Sequence, residues 1–276
     1  MSLDSRPARL VRRLTRRTGA LYHWLSSLHQ DMIAARERRW LRRHYPEVAF
    51  VRYSQREISA QKENGFRAQF GQDHFLVHSG LLPPRGGRFI EIGCNDPELG
   101  SNSWYLEKHL AFQGLAIDPL GQYAAQWRQR RPGSTFVEAF ISSRTTPVPF
   151  AETHGGQGWE SMLSGASESV SVEGKNVQVT TREVHPQSLQ AVLDAQRWDF
   201  GVDVLFVDVE GHEAEVLESA HWGGRRPGVL LIENTGTQTR QAQLRSRVEG
   251  LGYRLVARIS IYDDVHVADA TEGVAR

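Results

Sequence analysis

The residues with the most chemistry stand at the ends of apolar runs. "RFIEIGCN" places Glu91, Gly93 and Asn95 at the end of one run, and "GLAIDP" places Asp118 at the end of the next. "VDVLFVDVEGHE" carries Asp208, Glu210 and His212 past a third, and "PGVLLIE" ends on Glu233. Carboxylates in such places can accept hydrogen bonds from ribose hydroxyls or take up a proton, and an imidazole titrates in the range where it can do the latter.

These residues share a site only if the apolar runs are neighbouring strands. From residue 87 onward the chain alternates short apolar runs with helical patterns: "RFIEIG", then "SWYLEKHL"; "GLAIDP", then "LGQYAAQWRQRR"; "STFVEAFIS" as a third strand. A Gly-rich polar excursion follows ("ETHGGQGWESMLSGASES"), and then "SVSVEGKNVQVTTREV", which alternates as a β-hairpin with its turn near Gly174. "PQSLQAVLDAQ" reads as a helix with Pro186 in its first turn. "VDVLFVDVEG" and "PGVLLIENTG" are buried strands, each followed by a helix, the second of which ends at Gly252. The runs either side of Ser260 are too close for a crossover helix and pair antiparallel. The pattern predicts an α/β fold: a doubly wound, mostly parallel sheet covered on both faces, with a C-terminal antiparallel hairpin.

In such sheets ligands bind beyond the carboxyl ends of the strands. Gly93 permits close approach of backbone, Asn95 tolerates unusual dihedrals, and Asp118 stands where an acid receives ribose hydroxyls. A dinucleotide would need further glycines to seat its pyrophosphate on a helix N-terminus; this chain has Asn95, Asp96, Pro97 and Glu98 there. Acids at that place oppose a pyrophosphate and favour a cationic nucleoside without phosphate, S-adenosylmethionine. The plainer reading is a turn whose acids cap the next helix.

With these residues in place, the chain resembles the FkbM-type S-adenosylmethionine-dependent methyltransferases over roughly residues 66–268. The resemblance rests on "FRAQFGQDHFL", "FIEIGCNDPELGSNS", "GLAIDP", "VDVLFVDVEGHEAEVLE" and "PGVLLIE", in that order. It departs from the family in Asp96-Pro97-Glu98, where a glycine is usual. The resemblance implies a class I methyltransferase (Rossmann-like) fold and methylation of a hydroxyl oxygen, often on a sugar of a glycan, glycolipid or natural product. It carries cofactor contacts onto Glu91, Gly93, Asn95 and Asp118, the adenine side onto Glu138 and Ala139, and closure of the cofactor edge onto Gln69 and Asp73. The domains expected are a basic helical segment, 1–65, and the cofactor-binding domain, 66–276.

A hydroxyl nucleophile benefits from a proton acceptor or a metal. Asp208, Glu210, His212 and Glu233 are the candidates for proton transfer. Against this, Glu210 or His212 could simply cap the following helix, with Gly211 serving only the turn. Asp208, Glu210 and Glu233 are hard oxygen ligands, but their spacing matches no recognised metal motif, so no metal is expected. In the excursion, His154, Trp159 and Ser161 suit a sugar-binding lid, and Trp159 equally suits a partly buried anchor. Cys94 reads as a small packing residue.

Composition narrows the alternatives. Lys and Arg number 33 against 32 Asp and Glu, a net charge of +1, so no global field points to nucleic acid. The base-directed Asn/Asp-Pro-Pro-aromatic motif is also absent. One cysteine excludes an internal disulfide and fits a reducing, cytoplasmic setting. No run approaches the roughly 18 apolar residues of a membrane span, and no secretory signal is expected. Residues 1–45 are rich in arginine around a stripe of Leu21, Leu25, Leu28 and Met32. That helix suits packing on the main domain or on a second subunit, or peripheral contact with an anionic inner-membrane surface. The alternative function is a non-catalytic nucleotide-binding scaffold that docks through this helix.

Overall fold

The computed structural model describes residues 30–156, 159–170, 172, 176–198, 201–222 and 226–269. The chain divides into two compact units, residues 1–50 and 51–276. In the first, a helix covers residues 30–44 (α1), and the Trp40 ring stacks on His44 with centroids 4.4 Å apart. Met32 is exposed; Leu21, Leu25, Leu28 and the first arginine cluster lie outside the described residues. Strand β1 (Ala49–Val51) crosses the division between the units.

The larger unit opens with helix α2 (Gln55–Glu63), which Ser54 and Glu57 start with a reciprocal capping box. Helix α3 (Gln72–His78) precedes the first long strand. The alternation then runs β2 (Arg88–Ile92), α4 (Trp104–Leu110), β3 (Gln113–Asp118), α5 (Ala124–Arg130) and β4 (Ser134–Glu138). After an excursion it resumes with α6 (Leu189–Ala195), β10 (Val204–Val207), α7 (Glu213–Glu218), β11 (Val229–Glu233) and α8 (Gln238–Gly250). It ends on β12 (Tyr253–Ile259) and β13 (Asp263–Ala268). The main sheet of this unit is ordered β12-β13-β11-β10-β2-β3-β4. The strands from β4 to β11 pair in parallel, and β13 runs antiparallel between β11 and β12. This is the expected doubly wound sheet with its C-terminal hairpin.

Strand alternation explains why both faces are covered. Ile90, Ile92, Leu205, Val207, Leu230 and Ile232 face one core, beneath α6, α7 and α8. Phe89, Val204, Phe206, Val229 and Leu231 face the other, with Leu76 of α3 and Leu106 of α4. Period-2 alternation of apolar residues on both sides is the signature of a doubly buried parallel strand.

Three local expectations change. The third strand divides into β4 and β5 (Phe140–Ile141), because β5 leaves the main sheet to pair with β9 (Pro186–Gln187). Pro186 is therefore in a strand and not in a helical turn; α6 starts at Leu189, where Ser188 Oγ accepts from Ala191 N at 3.1 Å. The turn expected near Gly174 lies outside the described residues, and the second arm of that hairpin, β8 (Gln178–Val184), pairs with β6 (Val148–His154). β6 also pairs with β7 (Gly165–Ala166), so the polar excursion folds against a small sheet of its own.

One buried cluster ties the C-terminal hairpin together. Asp264 receives Arg245 at 2.8 Å and Arg258 at 2.7 Å, all three side chains being fully buried. Burial opposes the charge on Asp264, but the two guanidiniums hold its carboxyl below the usual range. A depressed carboxylate pKa contributes stability above the unfolded value, near 3.9, that is lost as pH falls toward the folded value. Asp264→Asn leaves two buried cations undercompensated and is expected to cost about 3–5 kcal/mol in urea denaturation at pH 7. The difference from the parent should shrink as the pH is lowered below about 4.

Candidate active site

The carboxyl ends of β2, β3, β4 and β10 open onto one cleft with about 880 Å³ of atom-free space, mouth included, a size suited to a small molecule. Its construction begins at Gly93. The backbone there has φ +81°, and a Cβ would meet the Asp208 carbonyl oxygen at 1.7 Å. Only glycine lets the chain leaving β10 lie directly on the chain leaving β2. Asp208 N donates to Ile92 O at 3.0 Å and Gly93 N to Ile117 O at 2.9 Å, so the three strand ends are held together by backbone.

Glu91 is buried on the face of Phe89. Its carboxylate accepts from Asn102 N at 3.0 Å and Ser103 Oγ at 2.5 Å, with Ser101 Oγ at 3.5 Å. Burial pushes its carboxyl up, and Arg131 with these donors partly offsets that. Arg131, itself fully buried, also binds Pro97 O at 2.9 Å and Ser103 Oγ at 2.8 Å. Glu91 and Arg131 therefore clamp residues 97–103 in place of a glycine-rich loop. No side chain caps α4, whose N-cap is Ser103; Glu91 and Asp96 instead bond the loop before it, and Glu91 borders the cleft as well.

Asp118 is also buried, with Oδ2 accepting from Asn95 N at 2.8 Å and Oδ1 from Leu120 N at 2.8 Å. Burial raises its pKa to about 6, against the lowering effect of those two donors. Asn95 adopts φ +45°, donates its backbone N–H to Asp118 and receives Ser161 Oγ on Oδ1 at 3.0 Å. Ser161 is bonded in turn to Tyr123 Oη at 2.7 Å, which fastens the polar excursion to the loop after β2.

Asp208 and Glu210 belong to the turn after β10, not to the strand, which ends at Val207. Glu210 takes φ +53° and Gly211 φ +101°. Both acids border the cleft from this turn. A second cavity adjoins the first and shares Gln69, Met162, Asp208 and Glu210 with it. It adds Glu233 from the end of β11 and Asp263 from the start of β13, with Trp159 and Tyr262 on its wall. Burial raises the Asp208 pKa, and so does the charge of Glu210 and Asp263. Burial and the same neighbours raise that of Glu233, while Asp263, buried but bonded by Gln72, is raised to about 7. Carboxylates this close do not all ionise at neutral pH, so the cluster retains protons.

The expected positions thus divide. Gln69, Glu91, Gly93, Asn95, Asp118, Ala139, Asp208, Glu210 and Glu233 border one or both cavities. Asp73, Glu138 and His212 border neither. Asp73 spends its carboxylate on Arg67 N, Ala68 N and His74 N, fixing the turn that carries Gln69. Glu138 is exposed, its carboxylate beside Gly121. His212 is buried against Phe140, hydrogen-bonded to Ser142 Oγ at 2.9 Å, and burial lowers its pKa. Asn102, Phe140, Phe150, Met162, Tyr262 and Asp263 border the cavities without having been singled out in the sequence. Neither Asn102, an amide just before a helix, nor Asp263, on the C-terminal hairpin, gave a signal in the sequence.

A doubly wound sheet with an antiparallel last strand, a nucleoside-sized cleft at its carboxyl edge and an acidic loop where a pyrophosphate would sit defines a class I methyltransferase. Residues 92–255 match the Methyltransferase FkbM domain, and the chain belongs to that family. Among solved structures it is similar to a TehB-like SAM-dependent methyltransferase from Corynebacterium glutamicum, at 14% identity over 77% of this chain and 97% of that one, TM-score 0.38. It is also similar to a putative ribosomal RNA methyltransferase from Plasmodium falciparum (13% identity, 74% and 97% coverage, TM-score 0.38). A third is phosphoethanolamine N-methyltransferase 1 of Haemonchus contortus (11%, 78% and 44%, TM-score 0.36). No curated protein matches the chain.

S-adenosylmethionine is the family's cofactor, and the cleft fits it. Among the described residues the lining carries Glu91, Asp118, Asp208 and Glu210 and no lysine or arginine, a charge suited to a sulfonium and an ammonium. Leu120, Ala139, Phe140 and Phe150 give an apolar end for a base. Gly93→Ala is expected to lower stability by about 2 kcal/mol or more in chemical denaturation, since the left-handed backbone and the Asp208 carbonyl both exclude a methyl group. The family resemblance assigns the ribose hydroxyls to Asp118, which accepts both only when ionised; affinity for S-adenosylhomocysteine is then expected to be full above pH 7 and to fall as pH drops through about 6. Calorimetry on Asp118→Asn should show weaker binding without that pH dependence.

Proposed function

We propose that the chain is a cytoplasmic O-methyltransferase acting on a hydroxyl of a carbohydrate, in a glycan, a glycolipid or a glycosylated natural product, with residues 66–276 as the catalytic domain. The observation that carries this reading is the second cavity, which adjoins the cofactor cleft at Asp208 and Glu210 and has Glu233 and Asp263 across it. Among the described residues no lysine or arginine lines it. Such a wall repels phosphate and carboxylate groups and offers many acceptors to a neutral polyol. Tyr262, stacked on Phe70 at 4.4 Å, and Trp159 add the aromatic faces on which sugar rings pack. The same charge argues against a nucleic-acid acceptor.

S-adenosylmethionine supplies an electrophilic methyl group when bound. The chain's own part is to hold the acceptor hydroxyl and take its proton. Asp208 and Glu210, common to both cavities, are the proton acceptors in this reading; burial, then the charges of Glu210 and Asp263, raise the basicity of Asp208. Proton transfer to a positioned carboxylate is worth roughly 10²–10⁴-fold in rate. Glu91, Gly93, Asn95 and Asp118 serve the cofactor, and His212 and Asp73 support the turns beside it.

The test is transfer of a radiolabelled methyl group from S-adenosylmethionine to a panel of neutral mono- and oligosaccharides, with phosphorylated sugars as the contrast. Incorporation into neutral sugars, with kcat reduced about 10²–10⁴-fold in Asp208→Asn or Glu210→Gln and cofactor affinity changed less than about tenfold, is the expected result. Preferential methylation of amines or of phosphorylated acceptors would sink the reading.

A further inference from the structure

Resting on the assignment of S-adenosylmethionine to the first cleft, we propose that Asn102 is a further cofactor-binding residue, its side-chain carbonyl accepting a hydrogen bond from the ammonium of the methionine end. Asn102 is 6% exposed and borders the cleft, and its buried Oδ1 has no hydrogen-bond partner among the described residues. A buried amide oxygen left unpaired costs about 1–3 kcal/mol, so its position calls for a donor that arrives with a ligand.

The residues around the cleft say which donor. The apolar side chains Leu120, Phe140 and Phe150 form the end suited to a base, and Asp118 follows as the acceptor for ribose hydroxyls. Asn102 borders the same cleft, on the segment that pairs Gly100 with Ala68, the neighbour in sequence of Gln69. A nucleoside placed by its base and ribose directs its amino-acid end there. The lining contains no cation to compete for the oxygen.

Glu91 explains why Asn102 is held ready. Its carboxylate is occupied by Asn102 N, Ser103 Oγ and Ser101 Oγ, so the charge that the sequence offers for the ammonium is spent on the loop. Arg131 fixes the same loop from Pro97 and Ser103. Glu91 is accordingly a positioning residue, and the direct contact passes to the neighbouring amide.

The test is calorimetric titration of the full chain with S-adenosylhomocysteine and with its desamino analogue, in which hydrogen replaces the α-amine. A hydrogen bond to a charged group predicts that the parent prefers the amine-bearing ligand by about 10–100-fold. Asn102→Ala should weaken S-adenosylhomocysteine to the level of the analogue and leave the analogue within about twofold. Asn102→Asp, which keeps an acceptor and the backbone N–H to Glu91, should retain the preference. Equal weakening of both ligands by Asn102→Ala, or no preference in the parent, overturns the proposal while leaving the cofactor assignment intact. Binding of neither ligand by the parent overturns both. If Asn102→Ala does not fold, the parent's preference and its behaviour in Asn102→Asp still decide.

Discussion

The site depends on one steric fact, the contact between the backbone of Gly93 and the carbonyl of Asp208. Adjacent parallel strands normally part where their hydrogen bonds end. Here the ladder of β2 and β10 extends one residue further, through Asp208 N to Ile92 O, and the chain then turns left-handed at Gly93. That turn leaves no room for a Cβ. It brings the loop that serves the cofactor against the loop that carries Asp208 and Glu210. The two cavities share a wall for this reason.

Charge is then partitioned by burial and partners. Glu91 and Asp118 are buried carboxylates that accept hydrogen bonds from the loops they hold, with Arg131 beside the first. Asp263 and Asp264 are successive residues of β13 and so face opposite ways. Asp264 meets Arg245 and Arg258 and stays ionised; Asp263 meets Gln72 and the acidic cavity and is raised toward neutrality. One strand thus supplies both an anchor of the hairpin and an acid of the second cavity.

The polar excursion between β5 and β9 is joined to this centre by small polar contacts. Ser161 links Tyr123 to Asn95, and Met162 borders both cavities. Its antiparallel strands, β6 with β7 and β8, give Ser164 and Gly165 a fixed place on the cleft wall. Among the described residues no helix is long and apolar enough to cross a membrane.

The sequence by itself determined the strand-helix order, the antiparallel end and the sheet edge where Glu91, Gly93 and Asp118 border the cleft. These follow from local rules: apolar runs of strand length, a glycine at a sharp turn, acids at strand ends. The split at Ala139 and the strand status of Pro186 were not legible, because both are set by the pairing of β5 with β9, residues far apart in the chain. Nor did spacing separate His212, two residues beyond Glu210, from the acids that reach the cleft; the left-handed turn at Glu210 and Gly211 sends it into the core against Phe140. Asp263 and Asn102 needed the tertiary structure most. An acid on a C-terminal hairpin and an amide before a helix have no chemistry in sequence; each acquires it from the neighbours that sheet order and burial bring within reach.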